Sequence, residues 1–258
     1  MVMNKEKNKL RYILVAVLFV FLYGCNSSSG SDCFQAAGDS ITMNVEVAPF
    51  SKVRTEGEVT LFIRQGDVQD VSVTTGENLL TDVTIRVVDE TLVLSDTNAC
   101  NFVRDYGLTV VTITTPNLTE IRNASNYDIT SIGTLDFQDL LLVSDTSGGL
   151  TSPKKTGDFY LDVRCDTFGI RANGQSVFYI SGISNMARLN FTDENPRFEG
   201  RNLVVNDINF FQRSANKMIV NPKEKLTGNI RSTGDVISVN RPPIVDVDVA
   251  FTGQLIFE

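Results

Sequence analysis

The sequence of 258 residues contains no histidine and no tryptophan. Without histidine the chain cannot build a Ser-His-Asp or Cys-His catalytic site, a histidine-ligated zinc site or an HExxH metalloprotease motif. Its 31 acidic residues outnumber its 23 basic ones, whereas a protein that binds nucleic acid needs a basic surface. We therefore predict a protein that is not an enzyme, carries no cofactor or metal and has no nucleic-acid partner.

Long apolar runs are also missing, apart from a short one near the N-terminus. Residues 12–22 are an unbroken apolar run of 11, which four basic residues between Lys5 and Arg11 precede. A membrane-spanning helix needs about 20 apolar residues, so this run is too short. A basic segment followed by a short apolar run is typical of a secretory signal peptide, which we assign to residues 1–24.

The apolar run ends at a cysteine. Leu22-Tyr23-Gly24-Cys25 resembles the lipobox of bacterial lipoproteins, although Tyr23 stands where a small or aliphatic residue is usual. We therefore predict that Cys25 carries the lipid, including palmitate, and becomes the mature N-terminus. The alternative is an ordinary signal peptide with an incidental cysteine.

The segment after Cys25 is polar and rich in serine and glycine, as in a flexible tether, and we assign residues 25–41 to it. Removing residues 1–24 leaves 19 basic and 30 acidic residues, a charge of −11. Such a chain is repelled by anionic lipid, so its acyl chains would hold it on the membrane. Asn26 lacks the aspartate that retains some lipoproteins in the inner membrane, which favours the outer membrane with either leaflet open.

Three other cysteines remain in an oxidising compartment. Cys165 alternates with apolar residues of one predicted strand, so we expect it to be a buried small hydrophobe. Cys33 and Cys100 both lie in polar, loop-like surroundings, and by elimination we predict that they form a disulfide. The alternative is that both remain free thiols.

The body of the chain, residues 42–258, carries strand signals and almost no helical periodicity. Short runs rich in valine, isoleucine, threonine and phenylalanine alternate with glycine, asparagine, aspartate and serine, for example at 59–63 and 83–88. No proline- or glycine-rich linker divides this region. We predict one all-β domain.

An aliphatic residue recurs about every 20 positions, at Ile129, Leu150, Ile170 and Leu189, and again at Val236 and Leu255. The register between Leu189 and Val236 is unclear. Such a period predicts a parallel β-solenoid with coils of about 20 residues, whose units bury their apolar sides by stacking. The alternative is an antiparallel sandwich or barrel, in which two hairpin strands imitate the period.

No motif in the body supports catalysis. Gly38-Asp39-Ser40-Ile41 looks like the opening block of the GDSL-type hydrolases, but that chemistry needs a histidine to activate the serine. Acidic pairs such as Asp246 and Asp248 lack the spacing of calcium-binding loops. We interpret them as solvated carboxylates at strand ends.

Several segments from about residue 45 to the C-terminus together resemble the family known as "putative auto-transporter adhesin, head GIN domain". The order and spacing of the segments carry the resemblance more than any one of them. They are Pro49-Phe50-Ser51-Lys52-Val53, Val59-Thr60-Leu61-Phe62-Ile63-Arg64-Gln65-Gly66, Glu77-Asn78-Leu79-Leu80, Thr91-Leu92, Pro116-Asn117-Leu118-Thr119-Glu120-Ile121 and Ser232-Thr233-Gly234-Asp235-Val236.

The resemblance implies a right-handed β-helix-like fold, export to the envelope and adhesion, with no catalytic residue to carry over. Some members have cysteines matching Cys33 and Cys100, which supports their pairing. We therefore expect a lipid-anchored adhesin or ligand-binding module of the outer membrane, with a glycan or protein surface as ligand. The alternatives are a carbohydrate-active β-helix enzyme and a periplasm-facing assembly factor.

Overall fold

The computed structural model describes residues 32–98, 100–151 and 153–258. The prediction of an all-β protein is confirmed, since the regular structure of these residues consists of strands and two 3-10 turns, Asp32–Phe34 and Leu80–Asp82. No helix in the described ranges is long and apolar enough to cross a membrane. The predicted signal peptide and Cys25 lie outside the described residues.

The strands belong to one curled sheet. In chain order they are β1 Ser40–Asn44, β2 Lys52–Gly57, β3 Val59–Gln65, β4 Asp70–Gly76, β5 Val83–Val88, β6 Thr91–Asp96, β7 Thr109–Thr115, β8 Glu120–Ser125, β9 Ile129–Asp136, β10 Asp139–Ser144, β11 Phe159–Ala172, β12 Val177–Phe191, β13 Arg197–Gln212, β14 Met218–Ile230, β15 Val236–Ser238, β16 Ile244–Val249 and β17 Leu255–Phe257.

Two series of paired strands share the long strands β11 to β14. One series runs β1, β4, β7, β3, β9, β11, β12, β13, β14, β15, β17, and the other runs β5, β6, β2, β8, β10, β11, β12, β13, β14, β16. Pairing is antiparallel between β1 and β4, β4 and β7, and β5 and β6. Every other ladder formed by the described strands is parallel, so successive passes of the chain lie on one another as layers.

The pairing register agrees with part of the predicted period. Ile170 pairs with Leu189, and Val236 with Leu255, as the spacing of 19 predicts. Two assignments were wrong: Ile129 pairs with Phe159 in a different column, and Leu150 lies outside the strands.

The unclear register between Leu189 and Val236 is resolved by the pairing. Leu189 pairs with Phe210, and Val236 pairs with Met218. The number of residues from one layer to the next changes here because β13 contains extra residues between its paired positions. A constant period cannot predict such extra residues.

Identical side chains stack in the core because each layer repeats the alternation of buried and exposed residues in the layer before it. Phe159, Phe178 and Phe198 form one inward column, and the first two rings are 4.7 Å apart and nearly parallel. Burying such a ring contributes about 1.5–3 kcal/mol. Cys165 is also buried as an unpaired thiol, as its position on the strand predicts.

Close layer spacing demands glycine at one turn of β12. Gly182 has φ +112°, and a Cβ there would lie 1.9 Å from the backbone oxygen of Val163 in the layer below. At this positive φ a Cβ would point toward the neighbouring backbone instead of away from the sheet, so only glycine is tolerated.

The predicted disulfide between Cys33 and Cys100 is confirmed and closes a separation of 67 residues at the β1 end of the sheet. The segment before β1, which the sequence assigns to the tether, is bonded to the body. The Asn78 N–H donates to the Ala37 carbonyl at 3.1 Å, and the Glu77 N–H donates to Asp39 at 2.9 Å.

We expect the double variant Cys33→Ser/Cys100→Ser to unfold with a free energy about 2–4 kcal/mol lower than the parent, because the bond restricts a long loop of the unfolded chain. Urea denaturation followed by circular dichroism measures this difference. The double variant and its parent should both carry Cys165→Ala, so that the free thiol of Cys165 cannot form a new disulfide and alter the result. Equal midpoints for the two chains would contradict the prediction.

Candidate functional site

A groove crosses the sheet where the layers fall out of register. β9 pairs with β11 up to Thr130 and again from Thr134. The three residues of β9 in between, 131–133, lie opposite the single Leu161 of β11. β13 pairs with β12 at Glu199 and again from Leu203. The three residues of β13 in between, 200–202, lie opposite two residues of β12. The extra residues bulge outward, so β11 and β12 lie recessed between two walls.

Two tyrosines form the floor of the groove. Tyr160 and Tyr179 occupy paired positions on β11 and β12, with ring centroids 4.7 Å apart and an interplanar angle of 6°. Each is 40% exposed. In the same column, Thr130 precedes Tyr160 and Glu199 follows Tyr179, so the aromatic stack is two rings long and ends facing a carboxylate side chain.

Polar groups surround the tyrosines. The Ser181 hydroxyl donates a hydrogen bond to Asp162 Oδ2 at 2.8 Å, and the Asp162 backbone N–H donates to Ser131 Oγ at 3.0 Å. These bonds join the floor to the β9 wall. The groove therefore offers hydroxyl and carboxylate groups beside an aromatic surface.

The β13 wall is made of charged and amide side chains. Arg201 and Asn202 are exposed on the bulge, and the Arg201 guanidinium donates to both carboxylate oxygens of Glu258, at 2.5 and 2.9 Å. This pairing lowers the pKa of Glu258. Glu199 accepts from Arg197 Nε at 2.5 Å. Each charge at this wall thus has an opposite charge as its partner.

The groove has a volume of about 530 Å³ and is open to solvent along its length. A volume of this size accommodates a small ligand or one stretch of an extended chain. The walls stand on β9 and β13, three layer spacings apart, or roughly 14 Å. Its dimensions suit a single extended polymer lying along the strands.

Two aspartates support the floor from the turn that precedes it. Asp128 accepts from the Asp158 backbone N–H at 2.9 Å, and Asp158 in turn accepts from the Val177 N–H at 2.8 Å. Burial raises the pKa of Asp158, and the nearby Asp128 carboxylate raises it further. Burial and then the Asp158 carboxylate, which accepts a hydrogen bond from the Tyr160 hydroxyl, raise the pKa of Tyr160.

A second polar cluster joins β8 and β11 to the loop after β10 and serves the structure. The buried Arg122 donates to Asp145 at 3.0 Å and to the Ser147 carbonyl at 3.0 Å, and Arg171 donates to the other oxygen of Asp145 at 3.1 Å. Burial acts to raise the pKa of Asp145, but hydrogen bonds from Ser147 and Arg122 outweigh it and lower that pKa. These bonds hold the loop that follows β10.

Sequence reasoning missed the groove. The predicted site residues lie elsewhere: Cys25 is outside the described residues, and the Cys33–Cys100 bond is at the β1 end. The spacing of 19 between Tyr160 and Tyr179 matches the predicted period, and that signal could have identified the pair. Arg201 gives no such signal, because only a bulge places it in the wall.

We expect Asp158→Asn to be more stable than the parent at pH 7, by about 0.5–1 kcal/mol, the scale of a partly screened charge contact. The raised pKa of Asp158 means that its neutral form favours folding below the ordinary value of 3.8. That contribution is lost as the pH rises through the folded pKa. Asparagine keeps the acceptor for Val177 and cannot ionise.

Thermal unfolding at pH 4 and pH 7 measures the effect. The difference between Asp158→Asn and the parent should shrink at pH 4. Asp128→Asn is the matched control, because it removes the neighbouring charge and keeps its acceptor. If Asp158→Asn instead became less stable relative to the parent as the pH rises from 4 to 7, the raised pKa of Asp158 would be refuted.

Similar folds occur in solved structures. A putative adhesin from Bacteroides fragilis superimposes with a TM-score of 0.74 at 18% identity, covering 85% of this chain and 97% of the other. A putative adhesin from Parabacteroides merdae gives 0.58 at 16% identity, and a putative lipid binding protein from Parabacteroides distasonis gives 0.59 at 12%. Each of these two alignments covers 86% of this chain and 97% of the other. At these identities the likeness shows a shared fold.

Sequence comparison gives the family directly. No curated protein matches the chain. A family model, however, matches residues 49–242, which hold nearly all the strands and both walls of the groove. The chain therefore belongs to the putative auto-transporter adhesin, head GIN domain family.

Proposed function

We propose that this protein is a lipid-anchored, non-enzymatic adhesin of the outer membrane, and that the groove on β11 and β12 binds an extended glycan. The single observation that carries the proposal is the stacked pair Tyr160 and Tyr179, recessed between two bulges and surrounded by polar side chains. Family membership supports the adhesive role.

We further propose that the body is a right-handed parallel β-helix with coils of about 20 residues. The steps along one column support this, since Phe159 to Phe178 is 19 residues and Phe178 to Phe198 is 20. A β-helix gives a rigid flank on which a linear polymer can lie along the strands, between walls that stand on separate coils.

The chemistry of the groove favours a sugar over an apolar ligand. Sugars present apolar C–H faces and many hydroxyls, and the tyrosine rings provide an apolar surface for the former. Asp162, Ser181, Arg201 and Asn202 provide acceptors and donors for the latter. Beyond Tyr179 the column continues with Glu199, so the outer face of the Tyr179 ring is not covered by a third ring.

The carboxylates of the groove favour binding over hydrolysis. Glycoside hydrolysis needs a carboxyl group with a raised pKa to protonate the leaving oxygen. Asp162 and Glu199 are already held by Ser181 and Arg197. Asp158 does have a raised pKa, but it accepts from Val177 in the supporting turn.

For the domain organisation we propose a signal peptide at 1–24, a lipidated Cys25 with a tether to residue 41, and the adhesive domain at 42–258. The bonds from Ala37 and Asp39 to the body support a tether whose free part ends before the disulfide at Cys33. The lipid at Cys25 would hold the groove outside the membrane, within the reach of the tether.

We expect Tyr179→Ala to weaken glycan binding at least about tenfold, or about 1.4 kcal/mol, because it removes half of the aromatic floor. A glycan array identifies the ligand, and calorimetry then measures the affinity. Phe251→Ala is the matched control, since Phe251 is an aromatic residue that is 60% exposed and lies outside the groove. Equal losses in both variants, or no glycan bound by the parent, would refute the proposal.

The anchor has its own test. Cells fed labelled palmitate should label the parent chain and leave Cys25→Ser unlabelled, since the thiol is the site of acylation. Protease added to intact cells should degrade the parent while a periplasmic control protein survives. Protection of the parent under these conditions would favour the periplasm-facing assembly role.

A further inference from the structure

The β1 end of the body carries an aromatic surface that nothing in the groove explains. We propose that Phe34, Phe102, Val103 and Tyr106, here called the end patch, insert into the interface of the lipid layer that holds Cys25, and that this layer is zwitterionic. The inference rests on the proposed lipid anchor, and it assigns a second contact with the same membrane.

The end patch consists of large apolar and aromatic side chains, yet all of them are at least half exposed to solvent. Phe34 is 57% exposed, Phe102 74%, Val103 50% and Tyr106 65%. The rings of Phe34 and Phe102 lie 5.5 Å apart, so they form one surface. Clustered exposed apolar side chains mark a contact with a partner or a membrane, whereas single ones need no explanation.

The patch is held rigidly by covalent and hydrogen bonds. The Cys33–Cys100 disulfide joins its two segments, and the Phe102 N–H donates to the Cys33 carbonyl at 2.9 Å. Arg104 donates to the carbonyls of Gln35 and Cys100, at 2.9 and 3.1 Å. Because the backbone of the end patch is already fixed, inserting its side chains into a lipid layer does not require this segment to become ordered first.

The chain outside the structure places the membrane within reach. Seven residues lie between Cys25 and Cys33, so the two cysteines are eight residue steps apart, or about 28 Å at full extension. A lipid on Cys25 keeps the end patch inside that radius. Tethering makes the second contact intramolecular, so weak apolar side chains suffice to hold it.

Charge selects the kind of lipid. The mature chain has a net charge of −11, from 19 basic and 30 acidic residues, and Asp105 is exposed within the patch. The guanidinium of Arg104 already donates to two carbonyls. Anionic lipid would repel this surface, whereas a zwitterionic interface accepts aromatic side chains.

The contact would also orient the body. The strands β1 and β17 lie at opposite ends of the longer series, ten ladders apart, or roughly 48 Å. With the β1 end in the membrane, the layers stack away from it. The groove on β11 is five ladders from β1, or roughly 24 Å along the stack, so it faces sideways.

The natural absence of tryptophan makes the test direct. The chain from Cys25 onward is coupled through its thiol to a maleimide lipid in phosphatidylcholine vesicles whose acyl chains carry bromine. Cys165 is buried, and the other two cysteines are bonded, so coupling is specific. Phe102→Trp should be quenched roughly twofold, because interfacial side chains reach about 5–10 Å into the layer.

Phe251→Trp is the matched control, since Phe251 is 60% exposed and lies between β16 and β17 at the opposite end. Val103→Trp is a second reporter in the patch. Quenching of both patch reporters without the control supports the proposal, whereas no quenching, or equal quenching of all three, overturns it. Quenching that is unchanged or higher with half phosphatidylglycerol overturns the choice of lipid.

Chemical coupling separates this test from the anchor itself. The vesicles hold the chain whether or not cells acylate Cys25, so a failed palmitate experiment leaves the vesicle result readable. Unquenched patch reporters alongside normal palmitate labelling overturn the end patch alone.

Discussion

Parallel hydrogen bonding between successive passes of the backbone is the constraint on which the rest of this structure depends. Where the register is regular, a residue of β12 lies directly between a residue of β11 and one of β13, so side chains are sorted into columns. Inward columns become continuous apolar stacks such as Phe159, Phe178 and Phe198. At Gly182, where φ is +112°, a Cβ would instead point at the Val163 carbonyl oxygen of the next layer, so that position accepts only glycine.

The groove exists because this constraint is relaxed locally. Extra residues in β9 and β13 cannot pair, so they leave the layer and rise above it, and the two regular layers between them become a floor. Regular pairing then aligns Tyr160 with Tyr179. A binding surface thus arises from the contrast between strict and broken register, with no insertion of a separate loop.

The two ends of the stack differ in a way that suits attachment at one of them. At the β1 end, antiparallel strands and the Cys33–Cys100 bond close the core and fix the surrounding loops. The terminal strands of both ends, β1 and β5 here and β16 and β17 at the far end, each pair on one side among the described strands, so the disulfide is what distinguishes the β1 end. The closed end is also the one nearest Cys25 along the chain, so closure and anchoring coincide.

The sequence by itself determined the strand content, the burial of Cys165 and a repeat near 20 residues, because alternation and turn residues act over a few neighbours. The disulfide followed from elimination among the cysteines and from the family resemblance. The sequence also carried that family resemblance, which the comparisons confirm. Only the tertiary structure decided which repeats share a column. Leu150 fits the period and lies outside the strands, whereas Ile129 stacks on Phe159. Register depends on how many residues each layer leaves unpaired, and that number follows from contacts between residues far apart in the chain.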